Sequence, residues 1–217
     1  MTQDNNGTHY LRRTCRACGG ADLEAFLPLG DQPLANSFLR STDEFASEAR
    51  YPLDVYRCRD CSLVQLLDVI SPEVLFRDYI YVTGTSDTIA AHNRRYAETV
   101  VRGLGLSKDD LVVEVASNDG SLLGCFREHG VRTLGIEPAR NIAAMARERG
   151  IDTIDEFFTL DIARRVREER GAASVVVANN VLAHVDDTQD FLAGARELIG
   201  PRGRVITEFP YLGELLD

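Results

Sequence analysis

From residue 106 onward the chain repeats two patterns. Short segments rich in apolar and β-branched residues fall at 111–115 (LVVEV), 132–136, 152–154, 174–178 (SVVVA) and 204–208. They have the length and composition of buried strands. Between them, apolar residues recur every three or four positions at 121–129, 139–149, 160–170 and 188–199. That spacing predicts amphipathic helices, and Gly130, Gly150 and Gly171 supply stops. Strand–helix alternation predicts an α/β fold, a parallel sheet with helices on both faces.

The first hundred residues read differently. Residues 1–13 are polar and predict a frayed tail. Residues 14–62 are broken by Gly19-Gly20, Pro28, Gly30, Pro33 and Pro52 and predict a small, loop-rich module. Residues 71–85 carry Phe76, Tyr79 and Tyr81. Residues 86–102 predict a helix with Ser86 as cap, Ile89, Asn93, Tyr96 and Val100 on one face, and Gly103 and Gly105 as stops. The expected organisation is a small domain over 1–70, a connecting lid and helix over 71–105, and an α/β domain over 106–217.

Composition narrows the function. The 217 residues are 44% hydrophobic and 27% charged, a globular balance. The formal net charge of −10 argues against non-specific binding to nucleic acid or an anionic membrane. No run of about 18 apolar residues is present, and the N-terminus lacks the apolar core of a secretory signal. A cytoplasmic location is the expectation.

Four of the five cysteines form two CxxC pairs, Cys15/Cys18 and Cys58/Cys61. Each pair places two thiolates on a tight turn, and two such turns can close a tetrahedral site that zinc favours. Four thiolates leave no open coordination position, so the metal would be structural. Thirty-nine residues separate Cys18 from Cys58, room for a strand or hairpin between the turns. Arg16, Arg57 and Arg59 are candidate counter-charges. A nucleic-acid-binding ribbon is the competing reading, disfavoured by the acidic balance. Cys125 lies in a helical pattern and reads as a core residue.

The run VVEVASNDGSLL places a glycine-containing loop between a strand and a helix, where backbone N–H groups converge. The dinucleotide fingerprint GxGxxG is absent. The loop aligns instead with that of class I S-adenosylmethionine methyltransferases, with Glu114, Ala116, Asn118, Asp119 and Gly120 in frame, although only the last glycine is kept. Glu137, at the end of LGIEP, stands where an acid accepts both ribose hydroxyls of a nucleoside. Asn179 and Asn180 follow the SVVVA strand and would line the methionine end.

Further motifs, CRACGG, LPLGDQPLANSFL, YPLDVYRCRDCSLVQL, LFRDYIYVTGTS and LGIEPARN, together make the chain resemble the C-methyltransferases of deoxysugar biosynthesis. The resemblance runs from about Arg13 to the end. It implies a Rossmann-like methyltransferase core behind a small zinc-binding domain, and S-adenosylmethionine as methyl donor. It also implies a nucleotide-linked 4-keto-deoxysugar as substrate, usually linked to deoxythymidine diphosphate. The reaction would be deprotonation beside the ketone, then methyl transfer to carbon. His184, after the SVVVA strand, is the candidate acid–base group, because an imidazole titrates near neutrality. Tyr79, Tyr81 and His92 are candidate substrate contacts. The chain departs from the family in one respect: the pattern supplies five strands of an expected seven, and the Tyr-His-Glu-His run of a C-terminal domain has no match. An open fifth strand would favour self-association or a complementing C-terminal chain. The alternative function is a non-catalytic, zinc-stabilised module that binds the cofactor or a protein.

Overall fold

The structure, a computed structural model, describes residues 8–216; residues 1–7 of the expected tail lie outside the described residues. It divides into two compact units, Met1–Tyr81 and Val82–Asp217. The stretch expected to connect the domains, 71–105, is therefore split between them.

In the first unit, β1 (His9–Leu11) pairs antiparallel with β5 (Asp68–Ile70). For His9–Leu11 this corrects the expectation of a frayed tail: His9 is tied to Asp68 by a 2.8 Å contact. A second sheet joins β2 (Leu23–Pro33), β3 (Arg50–Cys58) and β4 (Val64–Leu66) in that order, all antiparallel. The long hairpin β2–β3 fills the interval between the two CxxC turns. The β2–β3 register slips between Ala25 and Leu27 and again between Pro28 and Asp31. Proline cannot donate to a ladder, so the second slip falls where the sequence placed Pro28 and Gly30. The short helix α1 (Pro72–Phe76) starts on a proline that suits a first helical turn.

The second unit begins with a 3-10 turn (Thr83–Thr85) and α2 (Asp87–Leu104). The Ser86 hydroxyl caps α2 by accepting from the Ile89 N–H at 3.5 Å, and Gly105 ends it with φ +63°. The helix passes through Gly103, one turn's edge further than expected. A five-stranded parallel sheet follows, built from β6 (Leu111–Val115), β7 (Arg132–Ile136), β8 (Thr153–Ile154), β9 (Ala173–Asn179) and β10 (Ile199–Glu208). The spatial order is β10-β9-β6-β7-β8. Helices α3 (Ser121–Glu128), α4 (Arg140–Glu148), α5 (Leu160–Arg170) and α6 (Thr188–Leu198) make the crossovers, and α7 (Gly213–Leu216) follows β10.

Alternation along the strands divides the core in two. Val113, Val115, Val176 and Ala178 join Ile162 and Val166 of α5 and Phe191 and Leu198 of α6. Val112, Val175 and Val177 join Ala97 and Val101 of α2 and Leu123 and Phe126 of α3. Both faces of the sheet are covered, which is why its strands read as continuous apolar runs. β10 pairs only with β9 among the described residues, and Val205 on it is 38% exposed.

Candidate functional site

The four cysteines of the two CxxC turns converge, with all four sulfurs within 4.8 Å of one another. Cys15 Sγ lies 3.6 Å from Cys61 Sγ, and Cys18 Sγ lies 3.6 Å from Cys58 Sγ. Zinc–sulfur bonds of about 2.3 Å in a tetrahedron require sulfurs about 3.8 Å apart, so the cluster fits that ion. The two turns are built alike. Gly19 donates its N–H to the Cys15 carbonyl at 2.9 Å, and Ser62 donates to the Cys58 carbonyl at 2.8 Å. Gly19 and Ser62 each follow a second cysteine and each have positive φ, +76° and +66°. The Gln65 amide donates to Cys15 Sγ at 3.1 Å and accepts from the Arg16 N–H at 3.1 Å.

The thiols cannot all ionise unaided. Burial pushes Cys15 up, but the backbone N–H groups of Cys18 and Ala17 and the Gln65 amide bring it down to about 6. The Leu63 backbone favours the Cys61 thiolate, yet desolvation and the sulfurs of Cys18, Cys15 and Cys58 push that thiol up to about 12. A divalent cation removes the conflict by pairing with all four. Of the candidate counter-charges, Arg59 pairs with Glu24 at 3.0 Å, Arg57 reaches the Ser62 hydroxyl at 3.5 Å, and Arg16 donates to the Leu66 carbonyl at 2.6 Å.

In the second unit, strand order reverses between β6 and β9, and the C-terminal ends of strands flanking such a point form a binding crevice. The loop after β6 makes that end. Ala116, Asn118 and Gly120 adopt φ of +52°, +50° and +73°. At Gly120 a Cβ would lie 2.8 Å from Ile151 Cγ1, so this position excludes a side chain on contact as well as on backbone grounds. Two non-glycine residues in the left-handed region mark a loop whose conformation is imposed by its partners.

Glu137 is one of those partners. Its two carboxylate oxygens accept the Asn118 N–H and the Ala139 N–H, each at 2.8 Å. Burial raises its pKa, and these two donors hold it back. Asp119, fully buried, accepts from the Ser121 hydroxyl at 2.6 Å and the Gly84 N–H at 3.1 Å, and pairs with Arg149. Asn118 Oδ1 accepts from the Thr83 N–H at 2.8 Å. The loop therefore grips the Thr83–Thr85 turn by two backbone donors. Gly84 is required there, because a Cβ would run into the Asp119 carboxylate and the Ser121 hydroxyl.

At the end of β9, Asn179 Oδ1 accepts from the Tyr96 hydroxyl at 3.3 Å, and the Asn180 N–H donates to the Glu208 carbonyl at 2.6 Å. Burial pushes the Tyr96 phenol up to about 12. His92 Nε2 lies 3.3 Å from Glu208 Oε2, both side chains half exposed. Glu114, next to last on β6, is buried, and its Oε2 has no hydrogen-bond partner. Asn93 Nδ2, on the buried side of α2, has none either.

All eight residues expected at the cofactor (Glu114, Ala116, Asn118, Asp119, Gly120, Glu137, Asn179 and Asn180) thus lie in the second unit at the C-terminal ends of β6, β7 and β9. His184 closes a 3-10 turn (Leu182–His184) after β9 and is exposed. Tyr79 and Tyr81 fall in the first unit, where the Tyr79 hydroxyl accepts from the Asn36 amide at 3.0 Å. The sequence did not single out Gly84, Tyr96, Arg149 or Glu208. The first two stand in segments read only as a lid and a helix face. Arg149 and Glu208 carry no local signal.

Two family models match the chain: "Putative zinc binding domain" over residues 15–76 and "Methyltransferase domain" over residues 113–205. The chain is 40% identical over 202 residues to the C-methyltransferase NovU of Streptomyces niveus. That match covers 93% of this chain and 48% of the relative, so the chain spans about half the relative's length. The crystal structure of the PH0226 protein from Pyrococcus horikoshii OT3 superimposes with a TM-score of 0.51 at 17% identity, over 67% of this chain and 62% of that one. That likeness concerns the fold alone. Among the described residues no helix is long and apolar enough to cross a membrane.

Proposed function

We propose that this chain belongs to the methyltransferases that join an N-terminal zinc-binding domain to a methyltransferase domain, and that it serves S-adenosylmethionine-dependent methylation of carbon on a nucleotide-linked 4-keto-deoxysugar. The observation that carries the reading is the 40% identity to a C-methyltransferase across 93% of the chain. The loop geometry supports it. Glu137 keeps acceptor capacity beyond the two N–H groups it already holds, because each carboxylate oxygen has two lone-pair directions. It is assigned the ribose hydroxyls. The orphaned polar atoms of Glu114 and Asn93 support a polar ligand at the same end of the sheet.

S-adenosylmethionine, when bound, supplies an electrophilic methyl group on a sulfonium. The chain's own groups do the rest. Ala116, Asn118, Asp119 and Gly120 shape the floor, and Asn179 and Asn180 line the methionine end. His184 is assigned the removal of the proton next to the sugar ketone, leaving an enolate as the carbon nucleophile. Tyr79, Tyr81 and His92 are assigned to the sugar nucleotide. The four cysteines hold a structural zinc ion.

Calorimetric titration of the zinc-loaded chain with S-adenosylmethionine tests the cofactor half. The expected result is saturable one-to-one binding. Transfer of labelled methyl to a deoxythymidine-diphosphate 4-keto-6-deoxysugar tests the acceptor half. Binding without transfer would favour the non-catalytic binding module. A folded chain that does not bind would sink the reading.

A further inference from the structure

Glu114 presents a problem that the loop geometry does not solve. Along β6, Val113 and Val115 enter the core under α5 and α6, whereas Val112 enters the core under α2 and α3. Glu114 shares the face of Val112. A carboxyl group is thereby set into the apolar layer, 7% exposed, with Oε2 unpartnered. An ionised carboxylate in that state costs several kcal/mol.

The groups that face it do not relieve it. Glu137 stands at the end of β7 and Asp119 in the loop, and both are acidic. From α2 comes the Tyr96 phenol, with Glu208 of β10 beyond it, and from α3 the Cys125 thiol. The nearby cations act elsewhere: Arg149 is spent on Asp119, and Arg94 acts on Cys125. Burial first, then Glu137 and Asp119, push the Glu114 carboxyl well above the usual range.

The second orphan, Asn93, is on the buried side of α2, between His92, which meets Glu208 at the end of β10, and Tyr96, which meets Asn179 at the end of β9. An unmade acceptor on Glu114 and an unmade donor on Asn93 match the ammonium and the carboxylate of an α-amino acid. S-adenosylmethionine ends in that group.

Resting on the cofactor reading above, we propose that Glu114 holds a proton in the ligand-free protein and releases it to solvent when the ammonium of S-adenosylmethionine comes to lie beside it. The carboxyl O–H bond breaks, the proton passes to the buffer, and the carboxylate accepts an N–H bond from the ammonium. Cofactor capture is then a proton-releasing step. Affinity tightens as pH rises, by as much as about tenfold per unit, until the ligand-free carboxyl ionises by itself or, at about pH 8, the ligand's α-ammonium begins to lose its proton. The ligand-free fold has the opposite dependence. Because the folded value lies above the unfolded one, this group's contribution is present below the ordinary glutamate range and is lost as pH rises through the raised value.

The test is calorimetric titration of the zinc-loaded chain with S-adenosylmethionine at about pH 7 in phosphate and in Tris, buffers with very different ionisation enthalpies. The expected result is an apparent binding enthalpy that differs between the buffers by one released proton. Glu114→Gln should bind more weakly but saturably, with no buffer dependence, while Glu137→Gln keeps it. Infrared difference spectra of the unmutated chain give an independent readout: the carbonyl band of a protonated carboxyl should vanish on binding. Saturable binding with no buffer dependence, or proton release that survives in folded Glu114→Gln, would overturn the inference and leave the cofactor reading standing. Absence of saturable binding by a folded chain would overturn the cofactor reading itself, and this inference with it.

Discussion

The two units solve the same problem by different means. Each must hold an irregular stretch of backbone in place. In the first unit the backbone N–H groups turn toward sulfur, and among the described residues the unit buries only Leu67 and Val69 as apolar side chains beside Cys15 and Cys58. In the second, N–H groups of Thr83, Gly84, Asn118 and Ala139 turn toward side-chain oxygens of Asn118, Asp119 and Glu137, above a core that includes Phe126, Leu123, Ile136 and Phe191. A small unit without a core needs a metal. A unit with a two-sided core can leave a buried carboxylate partly unmatched and still fold.

The largest expected effect breaks that contrast directly. Chelation of zinc, or Cys58→Ser, should unfold the first unit and leave the second folded. Structural zinc in small domains is worth about 10–16 kcal/mol, far more than Leu67 and Val69 supply. Hydrogen-exchange protection should vanish across 8–81 and persist in β6 and β9. Loss of protection in both units would show that they do not stand apart. Next, Phe126→Ala should destabilise the second unit by about 3–5 kcal/mol in urea titration, because its ring is fully buried under α2 and β6. Zinc content should not change.

Smaller effects sharpen the comparison. Glu137→Ala leaves the Asn118 and Ala139 N–H groups without acceptors, at a cost of about 1–3 kcal/mol. It should also weaken S-adenosylmethionine binding by roughly 10- to 100-fold by calorimetry. Weakened stability with unaltered affinity would make Glu137 a purely structural acid. The smallest effect is expected from Glu208→Gln. Its pair with His92 is half exposed on both sides, so stability should change by less than about 1 kcal/mol. A larger loss in thermal unfolding would show that the Asn180–Glu208 backbone contact depends on that side chain.

What was legible in the chain was what is local. The strands of the α/β unit announced themselves as apolar runs because both sheet faces are covered. Helix ends followed Ser86 and Gly105, since caps act within a turn. The CxxC turns and the Glu137 position were legible because a few adjacent residues determine them. The β1 strand was not, because His9 finds Asp68 only across 59 positions. Neither were Arg149, which meets Asp119 across 30 positions, or Tyr96, which meets Asn179 across 83.

The amino-acid order by itself determined the parallel sheet, the four-sulfur cluster and the acids at the strand ends. Burial period, turn residues and metal-ligand spacing are short-range properties. Tertiary structure decided which of those acids is matched. Glu137 meets two N–H groups and Asp119 meets Arg149, whereas Glu114 is left with an unpartnered oxygen under α2 and α3. No window of sequence holds that information, because the state of a buried charge depends on every group that folding brings against it.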